Sequence, residues 1–125
     1  MGGLTLWRYR RHFDVGGKPA LVTVRARTDR LLSELEVDGT VLATDETPAV
    51  GPDAVRNHHL HAILPDGCAL EVEAGYISSA NIGIAVRRDG ELIHESHPGR
   101  TIAYPEKYRE LVASYANGSM GFGLL

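Results

Sequence analysis

The chain has a single cysteine, Cys68, among 125 residues, so no intrachain disulfide can form and a reducing compartment is the natural setting. No apolar run is long enough to span a bilayer or to serve as a secretory signal, so a cytoplasmic, non-membrane protein is expected. Gly2 stands where N-myristoylation would begin, but Leu6 fills the position that wants Ser or Thr. Excess positive charge is also missing. With a net charge of −3, no global field draws the protein to nucleic acid or anionic lipid. Gly16-Gly17 lies between predicted strands and precedes no helix, so a phosphate loop is excluded. Ser78-Ser79 lacks the strand–turn–helix setting of a nucleophile elbow.

What the chain does have is alternation, and a near-repeat. Leu35-Glu36-Val37-Asp38-Gly39-Thr40-Val41-Leu42 is echoed 51 residues later by Val86-Arg87-Arg88-Asp89-Gly90-Glu91-Leu92-Ile93. Asp-Gly between alternating apolar residues signals a tight hairpin, because Gly accepts the positive φ of a type I′ turn. Eight strands follow from the pattern. Residues 4–15 and the strand after Gly16-Gly17 pair with Phe13 opposite Ala20, Tyr9 opposite Val24 and Trp7 opposite Ala26. A turn at Asp29-Arg30 sets Val24 against Leu35 and Arg25 against Glu34, and the Asp38-Gly39 turn sets Leu35 against Leu42. Arg11 alone breaks the inner face, and is expected near an edge where its head reaches water.

Pro48, Gly51 and Pro52 mark a loop over residues 48–56. Strands near 57–64, 68–76, 81–88 and 91–96 then repeat the plan, with Leu60 opposite Val72, Val72 opposite Val86, and Val86 opposite Ile93. Each half, about 4–47 and 57–97, is a four-stranded meander with one apolar face. The expected fold is therefore mainly β: one domain over 1–125, an eight-stranded antiparallel β-sandwich built by internal duplication. Pro105, Glu106 and Asn117-Gly118 bracket a C-terminal helix over about 105–117.

The same pairing gathers polar residues on the outer face of the second half. His61 falls beside Glu71, His59 beside Glu73, and His94 opposite Ala85. Imidazole and carboxylate suit a divalent metal such as zinc, so His59, His61, Glu73 and His94 form a candidate metal set. Weighed against it is a wet sheet face bearing complementary charges. Cys68 starts a strand at an inward position and reads as an inert thiol. Trp7, Tyr9 and Phe13 share a stripe that alternation assigns to the core. Arg8 and Arg25 fall directly opposite each other, an unfavourable pairing unless an anion or partner bridges them.

The segments from Ala20 through Thr40 and from Cys68 through Ile93, each ending in an aliphatic Asp-Gly hairpin, resemble the Fas apoptosis inhibitory molecule family of antiparallel β-sandwiches. That resemblance implies a non-enzymatic, cytosolic interaction module and carries no site residues with it. A protein or peptide partner is expected, with a second copy of the chain as one version, docked through an edge strand or the helix. A small ligand between sheet and helix, near Tyr104, Tyr108 and Tyr115, is a further expectation.

Overall fold

The computed structural model describes residues 5–78 and 81–103. The helix expected over 105–117, with Tyr104, Tyr108 and Tyr115, lies outside the described residues.

Eight strands run in chain order: β1 (Thr5–Val15), β2 (Lys18–Arg27), β3 (Arg30–Val37), β4 (Thr40–Pro48), β5 (His58–Ile63), β6 (Ala69–Ser78), β7 (Asn81–Arg88) and β8 (Glu91–Glu95). They form two four-stranded antiparallel sheets, each a meander in sequence order. One buried apolar cluster draws on both sheets, with Val22, Val24 and Leu35 from the first and Leu60, Leu70, Val72, Ile84 and Val86 from the second. The polar faces look outward, as strand alternation requires.

The likeness of the two sheets extends to the turns. Asp38 and Asp89 have φ of 52° and 50°, and Gly39 and Gly90 have 83° and 84°. Both central residues of each hairpin are thus left-handed, the signature of a type I′ turn, which Asp tolerates and Gly favours. The inward rows correspond as well. Arg11, Val22, Leu35 and Ala43 lie side by side in the first sheet, and Leu60, Val72, Val86 and His94 in the second.

Registers across β1–β2, β5–β6 and β6–β7 match the alternation: Phe13 faces Ala20, Leu60 faces Val72, and Val72 faces Val86. Three expectations need correction. The β2–β3 turn falls one residue earlier, so Val24 meets Ser33 and Val22 meets Leu35. A bulge after each Asp-Gly turn skips one residue, so Leu35 faces Ala43 rather than Leu42, and Val86 faces His94 rather than Ile93. Val41, Leu42, Leu92 and Ile93 consequently reach the surface. Arg11 does not seek water. Its Nε donates to Ile82 O at 2.9 Å and its Nη2 to Asn81 Oδ1 at 2.7 Å, tying the first sheet to the second.

The loop between the halves contains a short 3-10 turn, Pro52–Val55. Beyond β8, residues 96–103 turn back over the outer face of the second sheet. Ser96 Oγ accepts from Ile84 N at 2.8 Å, Arg100 Nη2 donates to Ile77 O at 3.0 Å, and Ala103 N donates to Tyr76 O at 2.7 Å. Gly75 and Gly83, paired across β6–β7, make room for this strap. A Cβ on Gly75 would come within 2.9 Å of Ile102 Cγ2, and one on Gly83 within 3.3 Å of Ser96 Oγ and His97 Nδ1.

Candidate functional site

The outer face of the first sheet is sorted by charge. β1 contributes Arg8 and Arg10 and β2 contributes Arg25 and Arg27, with Arg8 directly across from Arg25. β3 and β4 contribute Glu34, Glu36 and Glu46. Arg25 makes an ion pair with Glu34, reached diagonally because Glu34 stands opposite Thr23. Among the described residues, Arg8, Arg10 and Arg27 have no carboxylate partner. The crowding registers on Arg25, whose guanidinium is pushed below its usual value by burial and then by Arg8, Arg27 and Arg10. Thr23 is buried on this outward face, although strand alternation points it toward solvent. Arg27 Nε is shielded from solvent and has no hydrogen-bond partner among the described residues.

Beside these arginines lie two apolar residues of the same edge strand. Trp7 is 54% exposed and Leu6 47% exposed. Alternation places Trp7 on the inner parity, and the expectation was a core residue. Here the inner face extends past the packed cluster, so the indole stands in solvent. Leu6 is skipped by the register between Thr5 and Trp7. Among the described residues only β2 flanks β1 in its sheet.

The expected metal set comes together only in part. His59 faces Glu73 and His61 faces Glu71, as the pairing implied. His94 does not join them. The β7–β8 bulge sets it opposite Val86 instead of Ala85, and its ring stacks on buried Phe13 with centroids 5.7 Å apart. Glu73 is engaged elsewhere: its Oε2 accepts from Asn57 Nδ2 at 2.8 Å, and the same nitrogen donates to Ile102 O at 2.6 Å. Among the described residues no group of three or more His, Cys, Asp or Glu side chains is placed to hold a metal ion.

His58, which the sequence did not single out, is the buried histidine. Its alternation with Leu60 and Ala62 points it inward, and it is 1% exposed. Its Nδ1 is hydrogen-bonded to Ser33 Oγ, and its Nε2 to Thr47 Oγ1 at 2.8 Å. Ser33 on β3 and Thr47 on β4 are themselves buried, so the imidazole links the two sheets. Burial pushes its pKa down to about 4, against the opposing pull of nearby Asp45. Outside this network, Asp45 accepts two hydrogen bonds from Arg56, at 2.8 and 2.9 Å, and one from His59 N at 3.0 Å. The Arg56 guanidinium holds the Asp45 carboxyl well below the usual carboxylate range. With every polar atom of the Ser33–His58–Thr47 group sealed from solvent, its chemistry is structural.

Near the Asp-Gly end, a cleft of about 310 Å³ opens over Val15, Val37, Leu42 and Leu64. Its rim carries Lys18 and Arg88 together with Asp38 and Asp66, and Arg88 Nη2 donates to Asp66 Oδ2 at 2.8 Å. Those charges balance, so the rim selects neither an anion nor a cation. Cys68, half-buried near Arg88, has a raised pKa: Arg88 draws it down, but Asp66, burial and Asp89 outweigh that. A raised thiol is a poor nucleophile near neutral pH.

Searches of protein-family models, curated proteins and solved structures return no match.

Among the described residues no helix is long and apolar enough to cross a membrane. Among the described residues, the β1–β2 margin of the first sheet gathers four arginines against one paired carboxylate, Glu34.

Proposed function

We propose that this protein is a non-catalytic interaction module, a two-sheet β-sandwich that binds an anionic protein or peptide through the β1–β2 margin of its first sheet. One observation carries the reading: four arginines share that margin, and among the described residues a single carboxylate, Glu34, answers them. Like charges facing each other across a strand pair destabilise the free protein, and a bound anion relieves that cost. Arginine suits the role, because its planar fork meets carboxylates two bonds at a time. The exposed indole of Trp7 beside the cluster adds the other residue type that dominates protein interfaces. The resemblance to the Fas apoptosis inhibitory molecule family supports the same class of function, and the lone cysteine suits a cytosolic setting.

Titration with poly-L-glutamate, followed by amide chemical shifts, tests the reading. Shifts should concentrate at Arg8, Arg10, Arg25 and Arg27 and fade with added salt, as screening demands. Shifts scattered over the surface, or centred on Lys18 or Arg87, would overturn it.

A further inference from the structure

Resting on that reading, we infer that the partner is an extended polypeptide segment alternating acidic and apolar residues, which lies along the N-terminal half of β1 as an added strand. Three features of this margin converge on that occupant.

The first is the confinement of the charge. Glu34 and Glu36 on β3 and Glu46 on β4 flank the arginines, so an anion crossing the sheet meets repulsion after two strands. A polyanion is favoured only along the strand direction, in a strip about two strands wide, near 10 Å. A nucleic acid strand, with charge at every nucleotide and no preference for such a strip, fits less well. The net charge of −3 gives it no long-range attraction either.

The second is the period of β1 itself. Arg8 and Arg10 point to the outer face, while Trp7 lies on the opposite face, 54% exposed. A strand laid beside β1 also alternates, so its side chains fall in turn beside guanidinium and beside indole. The matching segment therefore carries carboxylates at every second position and apolar residues between them. This is recognition by strand addition, in which backbone bonding supplies affinity and alternate side chains supply specificity.

The third is where the edge is open. The C-terminal half of β1 is taken up by the second sheet through Arg11, which bonds Ile82 O, and Phe13, which stacks on His94. Arg11 Nη1 also donates to Arg10 O at 3.0 Å, which closes the edge at that point. What remains among the described residues, from Thr5 to Arg8, accommodates about four residues of a partner strand at about 3.3 Å each. A second copy of the chain is a poor occupant. Pairing β1 with β1 would set the arginines of one copy against those of the other.

Trp7 is the sole tryptophan, so its emission reports the site directly. The probes are a Glu-Val-Glu-Val-Glu peptide, a Glu-Glu-Glu-Val-Val peptide of the same composition, and single-stranded oligothymidylate. The alternating peptide should give a saturable, salt-sensitive emission shift. The blocked peptide, and an Arg8→Gln/Arg10→Gln variant with an unchanged circular dichroism spectrum, should each bind about tenfold more weakly or worse. Arg87→Gln, on the second sheet, should bind like wild type. Equal affinity for the two peptides would overturn strand addition while leaving an anion-binding margin in place. Tighter binding of the oligothymidylate than of either peptide would overturn the polypeptide partner. No saturable response to any probe, with poly-L-glutamate also silent, would remove the margin itself.

Discussion

Acid should unfold this protein earlier than its carboxylates alone dictate, because His58 is sealed in its neutral form. In the folded state its pKa is pushed down to about 4, from an ordinary 6.5. Between those values the unfolded chain binds a proton that the folded chain refuses. Stability therefore rises with pH across this window, and is lost as pH falls from 6.5 toward 4. At about 1.36 kcal/mol per unit, the full loss is about 3 kcal/mol, a large share of the 5–15 kcal/mol typical of a whole domain. Hydrogen bonding does not set the sign, since both hydroxyls around the ring can accept as well as donate. The cost is that of placing a charge where water cannot reach it. Urea unfolding across this range, for wild type and for His58→Gln, isolates the effect. Glutamine keeps a donor and an acceptor for Ser33 and Thr47 but does not titrate. Wild type should lose about 3 kcal/mol more than the variant over the acid limb. Parallel pH profiles would refute the argument, and would mean that protonated His58 finds water or a counter-charge within the fold.

Three further outcomes follow from the contacts around the site. Gly75→Ala should lower the melting temperature, by the equivalent of about 1–3 kcal/mol, because its Cβ would lie 2.5 Å from Asn57 Oδ1 and 2.9 Å from Ile102 Cγ2; a rise would mean that Asn57 and Ile102 do not sit over that position. Asp45→Asn should cost about 1–3 kcal/mol at neutral pH, having broken a two-bond arginine contact. Because the carboxyl is held below its usual range, wild type keeps this contribution above about pH 4 and loses it below, whereas the variant has none to lose in acid, a difference that acid titrations of the two should display. Zinc uptake by calorimetry should be equal in wild type and in a His59→Ala/His61→Ala variant, because His94 is turned toward Phe13 and Glu73 is held by Asn57; uptake that disappears in the variant would establish the metal set.

How much of this was readable in the residues alone depended on parity. Moving the β2–β3 turn by one residue changed each partner by two positions. Val22 met Leu35 instead of Val37, yet every side chain kept its face and the core stayed the same. A bulge changes partners by one, and a one-residue slip sends a side chain to the other side of the sheet. Val41-Leu42 and Leu92-Ile93 are consecutive apolar pairs, so alternation gives no reason to skip either member. The two bulges were invisible for that reason, and His94 was placed on the wrong face. His58 was missed on different grounds. Its inward parity was legible, but its partners Ser33 and Thr47 come from the other sheet, and no local pattern pairs residues across a core. Alternation likewise assigned Trp7 a face without saying whether anything lies across it.

The arginine margin escaped all of these difficulties for a physical reason. It rests on the β1–β2 register alone, and Gly16-Gly17, with φ of 55° and 84°, closes a two-residue turn that leaves the pairing almost no freedom. Arg8 faces Arg25 as directly as the sequence required. A short turn is rigid, so two like charges placed opposite each other by it cannot relax by sliding the strands. They can separate only by moving side chains or by gaining a counter-charge. Glu34 supplies one such charge from β3, but its reach ends at Arg25. For Arg8 and Arg10, on the edge strand, no further strand of their own sheet lies beyond β1 among the described residues to bring another. On the proposed reading a partner supplies the compensating carboxylates, and the side of β1 away from β2 is the nearest place from which its backbone could deliver them.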